Sequence, residues 1–449
     1  MNNCKTGVWT ADGGDGMGSI IGGSEMNSIT KIKSRHLVLA LLFVATTINS
    51  IDRSLIGLLK PTLSHQLGWT AEDYASIVFW FNTAYAISYL GLGRIIDWIG
   101  VRLGFAGAVL LWSVGAALHG LVSTVTGFAS MRFVLGLGEG GYLPGCIKTT
   151  RLWFPGDERG FSSGVFNAGV TLGALLTPAV MPFLVIALGW RATFIISGLA
   201  GLVWLVPWML YYRDPHLHPG LDPAEHALIT AGDPQPQPQT SWRELLSWRA
   251  TWAYTAIQFL TSPVWWFYLF WMPDFLNSAH GINLARLGPP LVSVYVIAML
   301  GSLFGGTVSS RMIKGGMQPL KARKLTMLIC LIGVFPVVFA GTVQGLWAST
   351  LLVGLAAAGH QGWAANMFTL PGDVAPQSAV GALAGFGGAI GAVGGMFVAK
   401  LVGFVLTVTH NSYTLLFMLV PAAYVLAILL LQILLSSPAA FPKSVLSLA

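Results

Sequence analysis

Nearly uncharged apolar runs long enough to cross a bilayer recur along this sequence, and they constrain its fold more than any other feature. HLVLALLFVATTINSIDRSLIGLL, FAGAVLLWSVGAALHGLV, FIISGLAGLVWLVPWMLYY and YTLLFMLVPAAYVLAILLLQILL are examples. In hydrocarbon no water can bond an exposed N–H or C=O, so such a run must satisfy its backbone within itself, as an α-helix. About 20 residues at a rise of about 1.5 Å span the core of the bilayer. Read from end to end, the chain holds about twelve such segments. Its residues are 54% hydrophobic and 9% charged, against roughly 25% charged in a soluble domain. The expectation is an all-α membrane protein with twelve transmembrane helices.

The net charge of +7 is spread through short loops and forms no continuous basic stripe, so nucleic acid is not an expected partner. The distribution reads instead as topology. Lys31, Lys33 and Arg35 share a side with Arg94 and Arg102, with Lys148, Arg151 and Arg159, with the Arg213 to Arg249 segment and with the Arg311 to Lys324 cluster; Lys60, Arg191, Arg286 and Lys400 are left for the other side. The positive-inside rule then puts both termini in the cytoplasm, which requires an even number of helices. Cys4, Cys146 and Cys330 are far apart and form no C-x-x-C, so neither a disulfide framework nor a zinc site is indicated. The first 30 residues lack an apolar core and are read as a tail rather than a signal peptide, with Met26 an equally good start.

One segment interrupts the apolar rhythm. Residues 213 to 244, RDPHLHPGLDPAEHALITAGDPQPQPQTSWRE, are rich in Pro, Gln and charge and divide the chain into two halves, as in transporters built from repeats. The expected organisation is a disordered cytoplasmic tail over 1–34, an N-terminal six-helix bundle over 35–212, a cytoplasmic linker over 213–249, a C-terminal six-helix bundle over 250–436 and a cytoplasmic tail over 437–449. The histidines of HLHPGLDPAEH lack metal-ligand spacing and are read as loop residues, not a metal site. Glycines crowd the fifth helix, GVFNAGVTLGALLTPAV, and the eleventh, GALAGFGGAIGAVGGM. Small residues let helices approach closely in lipid, and their matching places in the two halves point to a sliding interface.

Under this topology Asp52, Arg53, Arg132 and Glu139 remain inside membrane helices. Each ionisable group at the bilayer centre costs about 2.5 to 3.5 kcal/mol on insertion scales, so these persist only if paired or functional. Arg132 and Glu139 are two helical turns apart, less about 20°, and project from one face. Asp52 and Arg53 diverge by about 100° and can address different neighbours. Crossed pairs, Asp52 with Arg132 and Arg53 with Glu139, would neutralise all four. Buried ion pairs are poor stabilisers and intramembrane carboxylates serve as proton relays. The expectation is therefore coupling: an anion taking Arg53 displaces Glu139, which then accepts a proton. The same stretch, Gly136 to Gly141, spells G-x-G-x-x-G. A dinucleotide site needs a preceding strand and a helix N-terminus at the phosphates, whereas this string is expected inside an apolar helix beginning near Phe128.

GRIIDWIGVR, with Gly93, Asp97, Gly100 and Arg102, and RFVLGLGEG, with Arg132, Gly136 and Gly140 at R-x-x-x-G-x-x-x-G spacing, resemble the loop and fourth-helix signatures of the major facilitator superfamily. SIDRSLIG resembles the first-helix signature of its anion:cation symporter branch. More narrowly, FLTSPVWWFYLFWMPDFL, HQGWAANMFTLPGDVAP and GGAIGAVGGM resemble bacterial hexuronate transporters. What this resemblance implies is the major facilitator fold of two pseudo-symmetric six-helix bundles and proton-driven uptake of a sugar acid, such as glucuronate or galacturonate, across the inner membrane. It further implies that Asp52 and Glu139 carry protons, that Arg53 and Tyr85 contact substrate, that Arg132 partners Asp52 and that Gln258 is a substrate-contacting amide. The loop of Gly93, Asp97, Gly100 and Arg102 would act in gating. Trp98 and Val101 stand where basic residues are usual, Gln258 and Ser262 where many hexuronate relatives carry Lys and Asp, and Val170 where a galactonate-type Gln is expected, leaving Asn167 as the nearest amide.

In the seventh helix Trp265, Trp266, Tyr268 and Trp271 offer faces either for sugar rings or for packing. In the tenth, Trp363 and Asn366 project about 300° apart, hence roughly on one face, and are expected to line the cavity, while His360 is read as a satisfied core histidine. No H-E-x-x-H, G-x-S-x-G or pair of loop carboxylates suggests an enzyme, and no catalytic residue, metal or cofactor is expected. The expected partners are a small organic anion, protons and the lipid bilayer, with the chain acting as a monomer. The alternatives are a symporter of another organic anion (an aldonate, a monocarboxylate or an aromatic acid) and, more distantly, a transporter-like solute sensor.

Overall fold

The computed structural model describes residues 34–155, 158–219, 221–230 and 240–435; apart from Ser34, both expected tails lie outside the described residues. Before the central connection the helices are α1 (Ser34–Leu67), α2 (Ala71–Ile99), α3 (Val101–Leu118), α4 (Val125–Glu139), α5 (Tyr142–Trp153) and α6 (Arg159–Tyr211). The connection itself carries α7 (Pro223–Thr230) and α8 (Trp242–Ser247). After it come α9 (Arg249–His280), α10 (Leu284–Lys314), α11 (Pro319–Val334), α12 (Leu346–Met367), α13 (Leu370–Val374), α14 (Gln377–Val408) and α15 (Thr414–Leu434).

The apolar runs become helices as expected, and the differences lie at their joints. α6 has 53 residues and holds two passes, joined through Gly189 at φ 80° and ψ 162°. α2 and α3 are joined in the same way through Gly100, at φ 84° and ψ 158°. Only glycine adopts a positive φ without a steric penalty, so one residue turns the chain where a polar loop would otherwise stand. α4 and α5 form a single pass interrupted at Gly140 and Gly141. The Gly141 N–H donates to Gly138 O at 3.0 Å and not to Leu137 O four residues back, and Pro144 has no N–H to offer the Gly140 carbonyl. The fourth helix, expected to run on unbroken, therefore ends at Glu139. With α4 and α5 counted once and α6 twice, six passes precede the connection and six follow it.

Among the described residues, eight helices are individually long and apolar enough to cross a membrane. α9 and α12 fall outside that set. They carry Gln258 and Asp274, and His360 and Asn366, respectively.

Glu225 of α7 places the connection at the start of α1: the Ser34 and Arg35 N–H groups donate to its two carboxylate oxygens at 3.2 Å each. A negative group at a helix N-terminus satisfies donors that the helix cannot. Arg35 also meets Glu158 at 3.2 Å. This end of the molecule is called the linker end below, and the opposite one the far end.

The glycine stripes are contact surfaces, as expected for lipid-embedded helices. A Cβ at Gly169 or Gly173 of α6 would collide with α1, and one at Gly136 of α4 would stand 2.6 Å from Phe81 O of α2. In α14, Gly387, Gly391 and Gly394 face α9, while Gly388 and Gly395 face α2. The two halves touch closely toward the far end, where Cβ atoms at Gly57 and Gly288 would lie 2.5 Å from Leu269 O and 2.8 Å from Pro178 O. Toward the linker end, Gly91 of α2 and Gly381 and Gly385 of α14 face open space. The backbones of the two halves are therefore in closest contact toward the far end, while at the linker end these three glycines meet no neighbour.

Candidate functional site

Midway along α1 the sequence turns polar, and Thr46, Thr47, Asn49, Ser50, Asp52, Arg53 and Ser54 are all buried. Buried polar atoms need partners: α1 itself, α4 and α6 supply hydrogen bonds, and α2, α5 and α9 supply aromatic rings. Arg53 Nε donates to Glu139 Oε2 at 2.6 Å, and Nη2 donates to Asn49 Oδ1 at 2.7 Å, one turn earlier in the same helix. Three aromatic rings surround the guanidinium: Tyr85 at 5.2 Å, and Tyr142 and Trp266 at 5.5 Å each. Ring faces are negative and favour a cation there. Among the described residues nothing bonds Nη1, and the Arg53 side chain keeps 11% of its surface exposed while that of Glu139 keeps none. Arg53 is thus a cation held by one carboxylate, with its Nη1 amino group open.

Glu139 is placed by the glycines on either side of it. A side chain at Gly138 would run into Ala108 and Trp112 of α3, and one at Gly140 into Ser88 of α2. The end of α4 is therefore wedged between two helices with its acid turned to Arg53. Glu139 Oε1 is buried without a protein donor.

The other expected pair does not form. Ser197 of α6 donates to Asp52 Oδ1, leaving Oδ2 buried and unbonded. Arg132 Nη2 donates to the Arg53 backbone carbonyl at 3.0 Å, and the guanidinium lies 5.2 Å from the Phe81 ring. The reason is angular: the 100° between adjacent side chains turns Asp52 to α6 while Arg53 faces α4, and Arg132 meets the backbone between them. The four formal charges still sum to zero. Each carboxylate keeps one oxygen free of protein donors, so either can accept a proton without breaking a bond it already makes.

The remaining expected residues are dispersed. Tyr85 belongs to the box around Arg53. Gln258 is buried within α9, where its Nε2 donates to Tyr254 OH at 2.7 Å and its Oε1 accepts from Ser262. Asn167 is exposed on α6 and donates to Ser163 O at 2.8 Å. Trp363 and Asn366, expected to line the cavity, are both fully buried, and the Trp363 ring packs on Tyr424 of α15 at 5.0 Å. Asn366 Nδ2 donates to Gly305 O of α10 at 3.2 Å and to Gly362 O at 2.9 Å. Its amide joins helices within the second half instead of facing a cavity. His360 bonds Tyr424, and Trp265 stacks on it at 5.6 Å.

At the linker end, Lys148 of α5 meets Asp97 at 2.5 Å and the Gly93 carbonyl. Arg102 donates to Met209 O at 2.6 Å, fixing the turn at Gly100 against α6. His216 and His226 approach to 3.3 Å. No group of three His, Cys, Asp or Glu able to hold a metal occurs among the described residues.

Sequence reasoning missed Asn49, Tyr142 and Ser197. Asn49 sits one turn before Arg53 and Tyr142 one turn after Glu139, so helical spacing pointed to both. Nothing in the pattern marks Ser197.

Comparison with known proteins adds a family. The model described as Major Facilitator Superfamily matches residues 42–399. A probable L-galactonate transporter of Escherichia coli (strain K12) is 29% identical over 85% of this chain and 85% of its own length. The hexuronate transporter of the same strain is 25% identical over 83% of this chain and 88% of its own. Among solved structures, a bacterial homolog of the human lysosomal transporter Spinster, in an inward-facing and unoccupied conformation, shares the fold with a TM-score of 0.64 at 15% identity, covering 90% of this chain and 96% of that one.

Proposed function

This chain belongs to the Major Facilitator Superfamily, and from that premise we propose that it is a proton-coupled secondary transporter importing a sugar-acid anion, a hexuronate such as glucuronate or galacturonate, by alternating access. The observation that carries the reading is Arg53: a boxed guanidinium with its Nη1 group open, beside a carboxylate it must release to offer its whole fork to another. An incoming carboxylate takes the fork of Arg53, a geometry that guanidinium matches well. Glu139 is then a buried carboxylate without its cation, and a proton is the means of neutralising it. Asp52, held by Ser197, is the second proton carrier, and Arg132 positions the Arg53 backbone from α4.

The substrate class follows from the balance of charge. Asp52 and Glu139 offset Arg53 and Arg132, so the site suits one carboxylate at a time with a neutral polyol body. Tyr85, Tyr142 and Trp266 supply flat faces for that body, and Gln258 and Asn167 are the amides that act on its hydroxyls. A neutral Gln258 and the galactonate-transporter relative support an aldonate as the second reading. The chain is a carrier and not an enzyme; it acts as a monomer in the inner membrane, with the linker end and both termini in the cytoplasm. The two bundles, 35–212 and 250–436, rock about the site, and Gly93, Asp97, Gly100 and Arg102 brace the linker end.

Proteoliposomes preloaded at alkaline pH and diluted into acid test this directly with radiolabelled glucuronate, galacturonate, galactonate and lactate. A uronate is expected to accumulate and to leak out on addition of a protonophore. Accumulation of none of these acids, or uptake indifferent to the gradient, overturns the proposal; preference for galactonate selects the aldonate reading.

A further inference from the structure

A second buried ion pair lies between the halves, toward the far end. Lys60 and Asp274 read in sequence as residues outside the membrane interior, yet both lie inside helices. Lys60 of α1 meets Asp274 of α9 with side chains 5% and 14% exposed. Tyr413, at the start of α15, donates its hydroxyl to the same carboxylate. The Tyr74 ring of α2 stands 5.3 Å from the Lys60 ammonium, and its hydroxyl donates to Phe270 O of α9 at 2.9 Å. Gly57, one turn before Lys60, brings the α1 backbone against α9 at Leu269. The ionic and hydrogen bonds thus clamp α1 and α2 of the first half to α9 of the second, with α15 bracing the acid.

We propose that Lys60 and Asp274, braced by Tyr74 and Tyr413, form a latch that holds the far end shut and must part once in every transport cycle. The charged groups of the Arg53 cluster come from the first half, so a rocking motion leaves them together; this pair bridges the halves and cannot survive the opening of the far end. Its chemistry suits reversible parting. A buried ion pair is costly to leave half made, which disfavours partial opening, but full opening returns both charges to water and removes the penalty. Lys60 follows Arg53 by two turns on the same face of α1, about 10 Å along the axis. Trp266, which covers Arg53, and Asp274 lie eight residues apart on α9, about 12 Å along its axis. One pair of helices therefore carries both the anion site and the latch, and what tilts α1 against α9 at the one is felt at the other.

The test needs no substrate, so it stands or falls separately from the proposed transport reading. Spin labels are placed at the exposed positions His65 and Ser278 of the full chain, its native cysteines replaced, in lipid nanodiscs, and their separation is read by double electron–electron resonance. Lys60→Met and Asp274→Asn are each expected to enlarge the long-distance population relative to the unsubstituted chain. Combining Lys60→Asp with Asp274→Lys is expected to restore the original distribution. Unchanged distances in both single variants overturn the latch, as does a folded charge-reversed double variant that stays as open as the singles. Tyr413→Phe removes one hydroxyl and no charge, and it supplies the same measurement should the charge variants fail to fold; a distribution identical to that of the parent chain would then count against the proposal.

Discussion

Replacing Glu139 by Gln separates binding from coupling. Glu139 Oε2 lies 2.6 Å from Arg53 Nε, where opposite charges attract by about 6 kcal/mol at an effective dielectric constant of 20. A Gln amide keeps the shape and leaves a hydrogen bond to a charged donor, worth roughly 1.5 to 3 kcal/mol. Some 3 to 5 kcal/mol of competition for the guanidinium is thereby removed, to order of magnitude. If a third of that reaches an incoming carboxylate, its affinity rises by about 1.4 kcal/mol, a factor of about ten. The variant has lost its proton acceptor at the same time. Purified Glu139→Gln, assayed by scintillation proximity for binding and in proteoliposomes for flux, is expected to bind the acid about tenfold more tightly. It should retain exchange of internal for external acid and lose accumulation under a pH gradient. Undiminished accumulation, or weaker binding by a folded variant, would refute the competition between Glu139 and substrate.

Two further outcomes follow from the same geometry. Ser197 is the donor that Asp52 finds on α6, so Ser197→Ala is expected to impair gradient-driven accumulation while Ser197→Thr, which keeps the hydroxyl, preserves it; equal activity of the two in proteoliposomes removes Ser197 from the mechanism. Asn366→Ala removes the side-chain bond that the Gly305 carbonyl accepts from α12 and is expected to cost about 0.5 to 1.5 kcal/mol of stability, read as a lower melting temperature in detergent with substrate affinity within about threefold of the parent; an affinity loss with unchanged melting would return Asn366 to the cavity wall.

The membrane passes were legible because lipid leaves the backbone no alternative: an apolar run of bilayer length has to be a helix. Their joints at Gly100 and Gly189 were harder to place, because a one-residue turn lacks the polar cluster by which a loop is recognised. The facing of Arg132 and Glu139 could be computed from a two-turn spacing, and Asn49 and Tyr142 lie within reach of the same reasoning. Rotational phase between helices could not be. Trp363 packs on Tyr424 of α15 while Asn366 bonds α10, and no property of α12 alone decides which neighbour each side chain meets. Lys60 reads as an interfacial lysine and Asp274 as a loop acid until α1 and α9 are set side by side, since their pairing joins residues from opposite halves of the chain.

The joints at Gly100 and Gly189 also bear on how such a protein can be handled. Where two passes meet through one residue, the surface offers a protease no extended strand to cut and an antibody no projecting epitope to grip. A tag or fluorescent protein inserted at either glycine would have to wedge apart two packed helices. Binders raised against the first half are consequently pressed toward the remaining edges, and chain-splitting or domain-insertion designs belong in the connection between Tyr211 and Arg249, whose sequence holds no apolar run of bilayer length.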